Sequence, residues 1–323
     1  MIARGRSSPP LSKTFTSRQG RGSRGEVRST IGYCPPTIIH WSYLSAYTRA
    51  WSRHNVFVTL SSRDACVRGG LEPGAEAALF GATLAELSAD GTLRCPSCAA
   101  GAVDVIVEDD ALIYRYPYEH PERARRGEVN DGFLRPERFV DRLAAALESL
   151  ESVRLVLLRP APLYKTEEIA FGDFLGRLDR LLAMLPPSYR YALEPAGPFC
   201  FRQEYFACLH ARDVAHVFSE GESLLRPLPT VVNQLALPGA FGGSFCVVRA
   251  TPDNAVPGMR WPVPDVALRR QGWCDAARRC LAEHVPFYLL ADDETDPLGA
   301  VMGFMEMMNE ELAQRSIIRC NAA

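Results

Sequence analysis

Six polar residues, Arg115, Arg159, Glu194, Ser219, Arg249 and Asp292, each sit at the end of a short apolar run. If those runs are strands lying side by side, their ends bring the six side chains towards one place. Arg115, Arg159 and Arg249 then supply three guanidiniums, which grip carboxylate or phosphate through paired N–H donors. Glu194 and Asp292 supply carboxylates that accept hydroxyl groups or share one Mg2+. If the two approach each other they also form a general acid–base pair. Such a set suits a small anionic or sugar-like ligand. The competing reading is a rim of charges that solvate the surface and pair among themselves.

Other motifs carry less. Cys95 and Cys98 form a CxxC, but a structural zinc needs four ligands, and only the distant Cys34 and Cys66 remain to complete it. The expectation is that these two lie elsewhere. Asp292-Asp293-Glu294-Thr295-Asp296 resembles part of a calcium loop but lacks the glycine at position six and the glutamate at position twelve. Gly20, Gly22 and Gly25 match GxGxxG among arginines and serines with no strand before them, so the match is chance. His216 sits between Ala215 and Val217, inside a strand-like run, while His210 and His284 close helical stretches, where a histidine serves the helix dipole.

Composition limits the partners. Residues 1–30 carry seven Lys/Arg against the single acid Glu26, a balance of +6, so the rest of this 323-residue chain of net charge −2 stands at −8. A globular part that acidic is a poor generic ligand for nucleic acid. No apolar run approaches the roughly 18 residues that span a bilayer, so no membrane partner is expected. The ten cysteines fall mostly in apolar stretches, as Cys208, Cys246 and Cys280 do, which suits a reducing compartment. The start shows no apolar signal-peptide core, and a cytoplasmic location is expected. Rich in Arg and Ser and poor in acid, the start also has the composition of an organellar transit peptide; it reads as a disordered basic tail over 1–30, followed by a single domain over 31–323.

The elements that must position the candidates are legible by period. Apolar strands are expected at 56–60, 112–116, 153–158, 189–193, 214–218, 244–249 and 286–291, with Val103–Val107 as a hairpin partner or strand entry. Helical spacing falls at Ala75–Leu87, 136–150, 171–185, 201–211, 265–284 and 298–314. Pro136 suits a first helical turn, and Pro186-Pro187 stops the helix before it. Strands apolar on both faces and separated by helices imply a parallel sheet. Six strand–helix units lie between 112 and 314 and the region 31–107 has room for two more, which makes a (β/α)8 TIM-like barrel with a diverged N-terminal third. A doubly wound sheet would want a glycine-rich loop after an early strand, and there is none.

Read in order, several segments resemble the YecE-like TIM-barrel family, a domain of unknown function. They are Arg115-Tyr116-Pro117, Phe133-Leu134-Arg135-Pro136-Glu137-Arg138-Phe139, Val156-Leu157-Leu158-Arg159-Pro160, and Leu185-Pro186-Pro187 running into Tyr191-Ala192-Leu193-Glu194. Glu204-Tyr205-Phe206, Val214–Phe218, Phe245–Arg249 and Tyr288–Asp293 follow, so the resemblance covers about 110–315. It implies a pocket at the C-terminal face and adds His120 and Asp293 to Arg115, Arg159 and Arg249 as ligand-binding residues; Glu194 and Asp292, from the strand ends, stand as the candidate catalytic pair. Arg159 stands where the family has Gln, Ala196 where it has Arg, and Asp292-Asp293 where it has Asn-Asn. The resemblance itself implies no activity; the strand-end residues are read as those of a hydrolase or isomerase on a small anionic or sugar-like substrate, with Mg2+ the one cofactor considered. The alternative is a non-catalytic binding protein for a phosphorylated or carboxylated ligand. Either way Arg115, Arg159, Glu194, Arg249 and Asp292 should line one concave surface, with Arg159 or Arg249 paired to Glu194.

Overall fold

The short apolar runs fold as strands: β1 Val56–Leu60, β2 Ala82–Leu87, β3 Leu93–Arg94, β4 Ala102–Val107, β5 Val153–Leu158, β6 Tyr191–Leu193, β7 Val214–Ser219, β8 Glu222–Ser223, β9 Arg226–Pro227, β10 Cys246–Ala250 and β11 Phe287–Ala291. Between them lie helices α1 Val140–Glu148, α2 Phe171–Met184, α3 Gln203–His210, α4 Val231–Leu235 and α5 Val266–Glu283, with α6 over 299–309. The computed structural model describes residues 51–52, 55–60, 82–88, 92–94, 102–116, 125–163, 169–219, 222–223, 226–227, 230–250, 266–291 and 299–309. All of them belong to one unit, Ile39–Ala323.

Nine strands form one sheet in the order β1-β11-β10-β7-β6-β5-β4-β2-β3, and every neighbouring pair is parallel except β2 with β3. Apart from that hairpin the ladder follows chain order, as strand–helix–strand crossovers demand. The sheet is curled: Cα atoms of β1 and β2 come within 8 Å of each other. Alternation then sorts side chains between two apolar layers. One layer faces inward and includes Leu84, Ile106, Leu155, Leu157, Ala192, Ala215, Val217, Val247, Tyr288 and Leu290. The other packs under the helices. In α2, Phe174, Leu178, Leu181 and Leu182 are buried at the spacing of one helical stripe. Leu185 beyond its end is extended at ψ 142, the conformation a following proline imposes.

Two expectations need correction. Residues 82–87 are strand β2 rather than the end of a helix: Leu84 faces inward while Ala85 and Leu87 face the helices, and a run that short fits either period. Residues 112–116 are not a strand either. The third parallel strand is β4, and after it Asp109 accepts the Ala111 N–H at 2.8 Å and caps a 3-10 turn over Asp110–Leu112. Pro136 does open a 3-10 turn, Pro136–Arg138, that leads into α1.

At the N-terminal half of the strands, charge is buried inside the curl. The β4–β5 register shifts so that Val103 pairs with Val153 and Asp104 with Leu155. Arg154 is the extra residue of that bulge, and bulges re-aim side chains. Its guanidinium turns to Asp104, donating from Nε to Oδ1 at 2.9 Å and from Nη2 to Oδ2. Arg154 Nη2 also donates to Thr59 Oγ1 at 2.6 Å, and that hydroxyl donates to Asp104 Oδ2 at 2.5 Å. The guanidinium lies over the rings of Phe57 and Tyr288, 5.0 and 5.4 Å from their centroids. Strand β1 is thereby tied to β4 and β5 across the interior.

Candidate functional site

At the opposite ends of the same strands the polar residues are held by backbone bonds to the neighbouring strand. The Glu108 N–H donates to the Leu87 carbonyl, Arg159 N–H to Val107 and Glu194 N–H to Leu158, at 2.9 to 3.0 Å. Each of these residues is two beyond an inward apolar residue (Ile106, Leu157, Ala192), so its side chain shares the inward face. Arg249 follows Val247, and Ser219 follows Val217, by the same step; the two are register partners.

The side chains form an alternating chain of charge. Arg159 Nη1 donates to Glu108 Oε1 at 2.6 Å, and its Nε lies 3.6 Å from Glu194 Oε2. Arg249 Nη1 donates to Glu194 Oε1 at 2.8 Å. Exposure falls along the chain, from 58% for the Glu108 side chain and 38% for Arg159 to 7% and 4% for residues Glu194 and Arg249. The inner pair is a buried salt bridge and the outer pair a surface one. Two buried polar atoms on this face make no hydrogen bond, Glu194 Oε2 and Ser219 Oγ. Both depart from the rule that buried polar groups are paired.

Arg159, Glu194 and Arg249 therefore come together from β5, β6 and β10, spaced widely in the chain. Arg115 stands apart from a strand end: it forms an isolated antiparallel bridge with Val129, and its Nη1 donates to the Gly127 carbonyl at 2.6 Å. The sequence reading placed it at a strand end because 112–116 looked like the strand. The residue that does leave the third parallel strand is Glu108. His120, Asp292 and Asp293 lie outside the described residues, as do Cys34, Cys66, Cys95, Cys98 and the tail 1–30. Among the described residues, no group of three His, Cys, Asp or Glu is placed to hold a metal. Glu194 itself faces two guanidiniums, whose charge repels a dication.

His216 faces the other side of β7 and is structural. Its Nε2 lies 3.1 Å from Gln234 Oε1, and Gln234 Nε2 donates to the Ser219 carbonyl at 2.6 Å, which ties α4 to the end of β7. Phe201, Tyr205, Phe206 and Phe218 surround the imidazole edge-on. A small cleft lined by His216, Phe218, Ala240, Phe241, Gly242, Gly243, Phe245 and Cys246 opens beside it, away from the charged chain. Burial, the largest cause, pushes the His216 pKa down to about 4, from an ordinary 6.5. The folded chain thus holds it neutral, and its contribution to stability is complete above pH 6.5 and lost as pH falls through about 4. The shift is worth about 3 kcal/mol. Urea titrations at pH 7 and pH 4 should show wild type losing about that much more than His216→Gln, which keeps a partner for Gln234 but does not titrate. Equal losses would show that His216 protonates freely in the folded state.

No helix among the described residues is long and apolar enough to cross a membrane. No protein-family model matches the chain, and no curated protein sequence matches it. In fold the chain is similar to the crystal structure of a DUF72 family protein from Thermotoga maritima, with a TM-score of 0.50 and 12% identity over 80% of this chain and 99% of that one. Identity so low speaks to the fold alone.

Proposed function

We propose that the chain is a closed (β/α)8 barrel of the YecE-like type, with a C-terminal-face pocket that binds a small hydroxylated ligand carrying an anionic group. Strand order, the approach of β1 to β2 and the Thr59–Asp104–Arg154 tie across the interior support closure. The observation that carries the pocket is Glu194 Oε2, buried and without a hydrogen bond 3.6 Å from Arg159 Nε, on the face where Ser219 Oγ also makes none. In TIM-type barrels the strand ends at this face are where ligands are read. Arg249 fixes Glu194 Oε1 and so leaves Oε2 to accept from a ligand hydroxyl, while Arg159 meets the anion. With Arg249 on one oxygen and the other offered as an acceptor, this arrangement favours a binding protein over a hydrolase or isomerase.

The test is a thermal-shift panel of sugar phosphates, hydroxy acids and nucleotides on wild type, Glu194→Gln and Ser219→Ala. A ligand that binds the native state raises its melting temperature by mass action. Ser219→Ala deletes a hydroxyl that bonds nothing, so it should fold at least as stably as wild type. Glu194→Gln keeps an amide oxygen for Arg249 but loses the anionic acceptor, and affinity should fall about tenfold. If Glu194→Gln unfolds the protein, or if both variants answer every ligand as wild type does, the residues are structural and the pocket loses its anchor.

A further inference from the structure

We infer that Glu108 is an internal competitor for the ligand: in the unliganded protein its carboxylate occupies the place on Arg159 that the ligand's anionic group takes, and the ligand is one whose anion lies next to a hydroxyl. The inference rests on the pocket reading given above. A single guanidinium reaches both ends of the arrangement. Arg159 Nη1 holds Glu108 Oε1 at 2.6 Å, while its Nε lies 3.6 Å from Glu194 Oε2, which is beyond hydrogen-bond length. The outer contact is between two exposed side chains and is worth little, so a phosphate or carboxylate presenting two oxygens displaces it readily. At the inner end Glu194 Oε2 is buried and accepts no hydrogen bond. A hydroxyl on the carbon next to the anion-bearing group donates to Glu194 Oε2 once Glu108 has left, while the anion sits on Arg159.

The backbone of Glu108 is pinned within the sheet, while its side chain is held by an exposed contact to Arg159. Its N–H is bonded to the Leu87 carbonyl at the end of β2, yet its carboxylate is the most exposed member of the charged chain. It can swing into solvent without disturbing β4. Displacement involves no covalent step; one carboxylate leaves a guanidinium and another anion takes its place.

The experiment titrates wild type, Glu108→Gln and Glu194→Gln with glycerol 3-phosphate and with ethyl phosphate, which lacks the hydroxyl, by calorimetry at low salt. Removing the competitor should tighten glycerol 3-phosphate binding about two- to fivefold in Glu108→Gln, the range set by an exposed ion pair. Glu194→Gln should bind the two phosphates with nearly equal affinity, because the hydroxyl has lost its acceptor. Binding by Glu108→Gln alone, with wild type silent, also supports the inference. Wild type binding glycerol 3-phosphate as tightly as Glu108→Gln, or more tightly, overturns the competitor and leaves the pocket standing. No binding by wild type or Glu108→Gln overturns both. Glu108→Ser repeats the test should the glutamine itself hold Arg159.

Discussion

Arg154→Met should cost about 3–5 kcal/mol of stability, one of the two largest effects expected of any single replacement at a described charge. Methionine keeps the stem that lies against Phe57 and Tyr288 but removes the guanidinium. Asp104 is then left 1% exposed with the Thr59 hydroxyl as its remaining donor. A buried carboxylate that has lost its cation retains the full cost of leaving water. Asp104→Leu should cost a similar amount, and the double variant much less than the sum, since it removes both charges from an apolar interior. Urea denaturation of the four proteins measures this coupling. Additive costs would show that the two charges act independently.

Arg249→Met should cost about 3–5 kcal/mol as well, for the same reason at the other end of the strands. Glu194 is 7% exposed, and Oε1 would lose its 2.8 Å partner while Oε2 accepts no hydrogen bond. Arg159, 3.6 Å from Oε2, softens the loss without replacing a hydrogen bond. Pairing Arg249→Met with Glu194→Leu should recover most of the stability and abolish ligand binding together. A cost for Arg249→Met below about 1 kcal/mol would mean that the pair is solvated like a surface bridge.

The positions of Arg159, Glu194 and Arg249 were legible because each stands at the inward step that ends an apolar run, so strand period alone aims it at the common face. Glu108 obeys the same rule and was missed because Ala111–Tyr116, also apolar, looked like the strand. The aspartate cap at Asp109, which turns that segment into a 3-10 helix, is a three-dimensional outcome of its bond to Ala111 N–H and its pairing with Arg142. The buried Asp104–Arg154 pair was visible as a charge inside an apolar run, but only the bulge at Arg154 directs that guanidinium inward, and register is set by pairing partners far away in the chain. Helix α4 escaped because five residues hold barely one turn of periodicity. Its Gln234 matters through contacts to His216 and Ser219 that no local pattern announces.

A crystal structure of the protein with glycerol 3-phosphate bound tests the central claim, that the strand ends around Glu194 form a ligand pocket. The phosphate should sit on Arg159 with Glu108 swung away, and the adjacent hydroxyl should lie about 2.7 Å from Glu194 Oε2. A ligand found in the cleft beside His216, or elsewhere on the surface with Glu194 Oε2 still unpartnered, would contradict it.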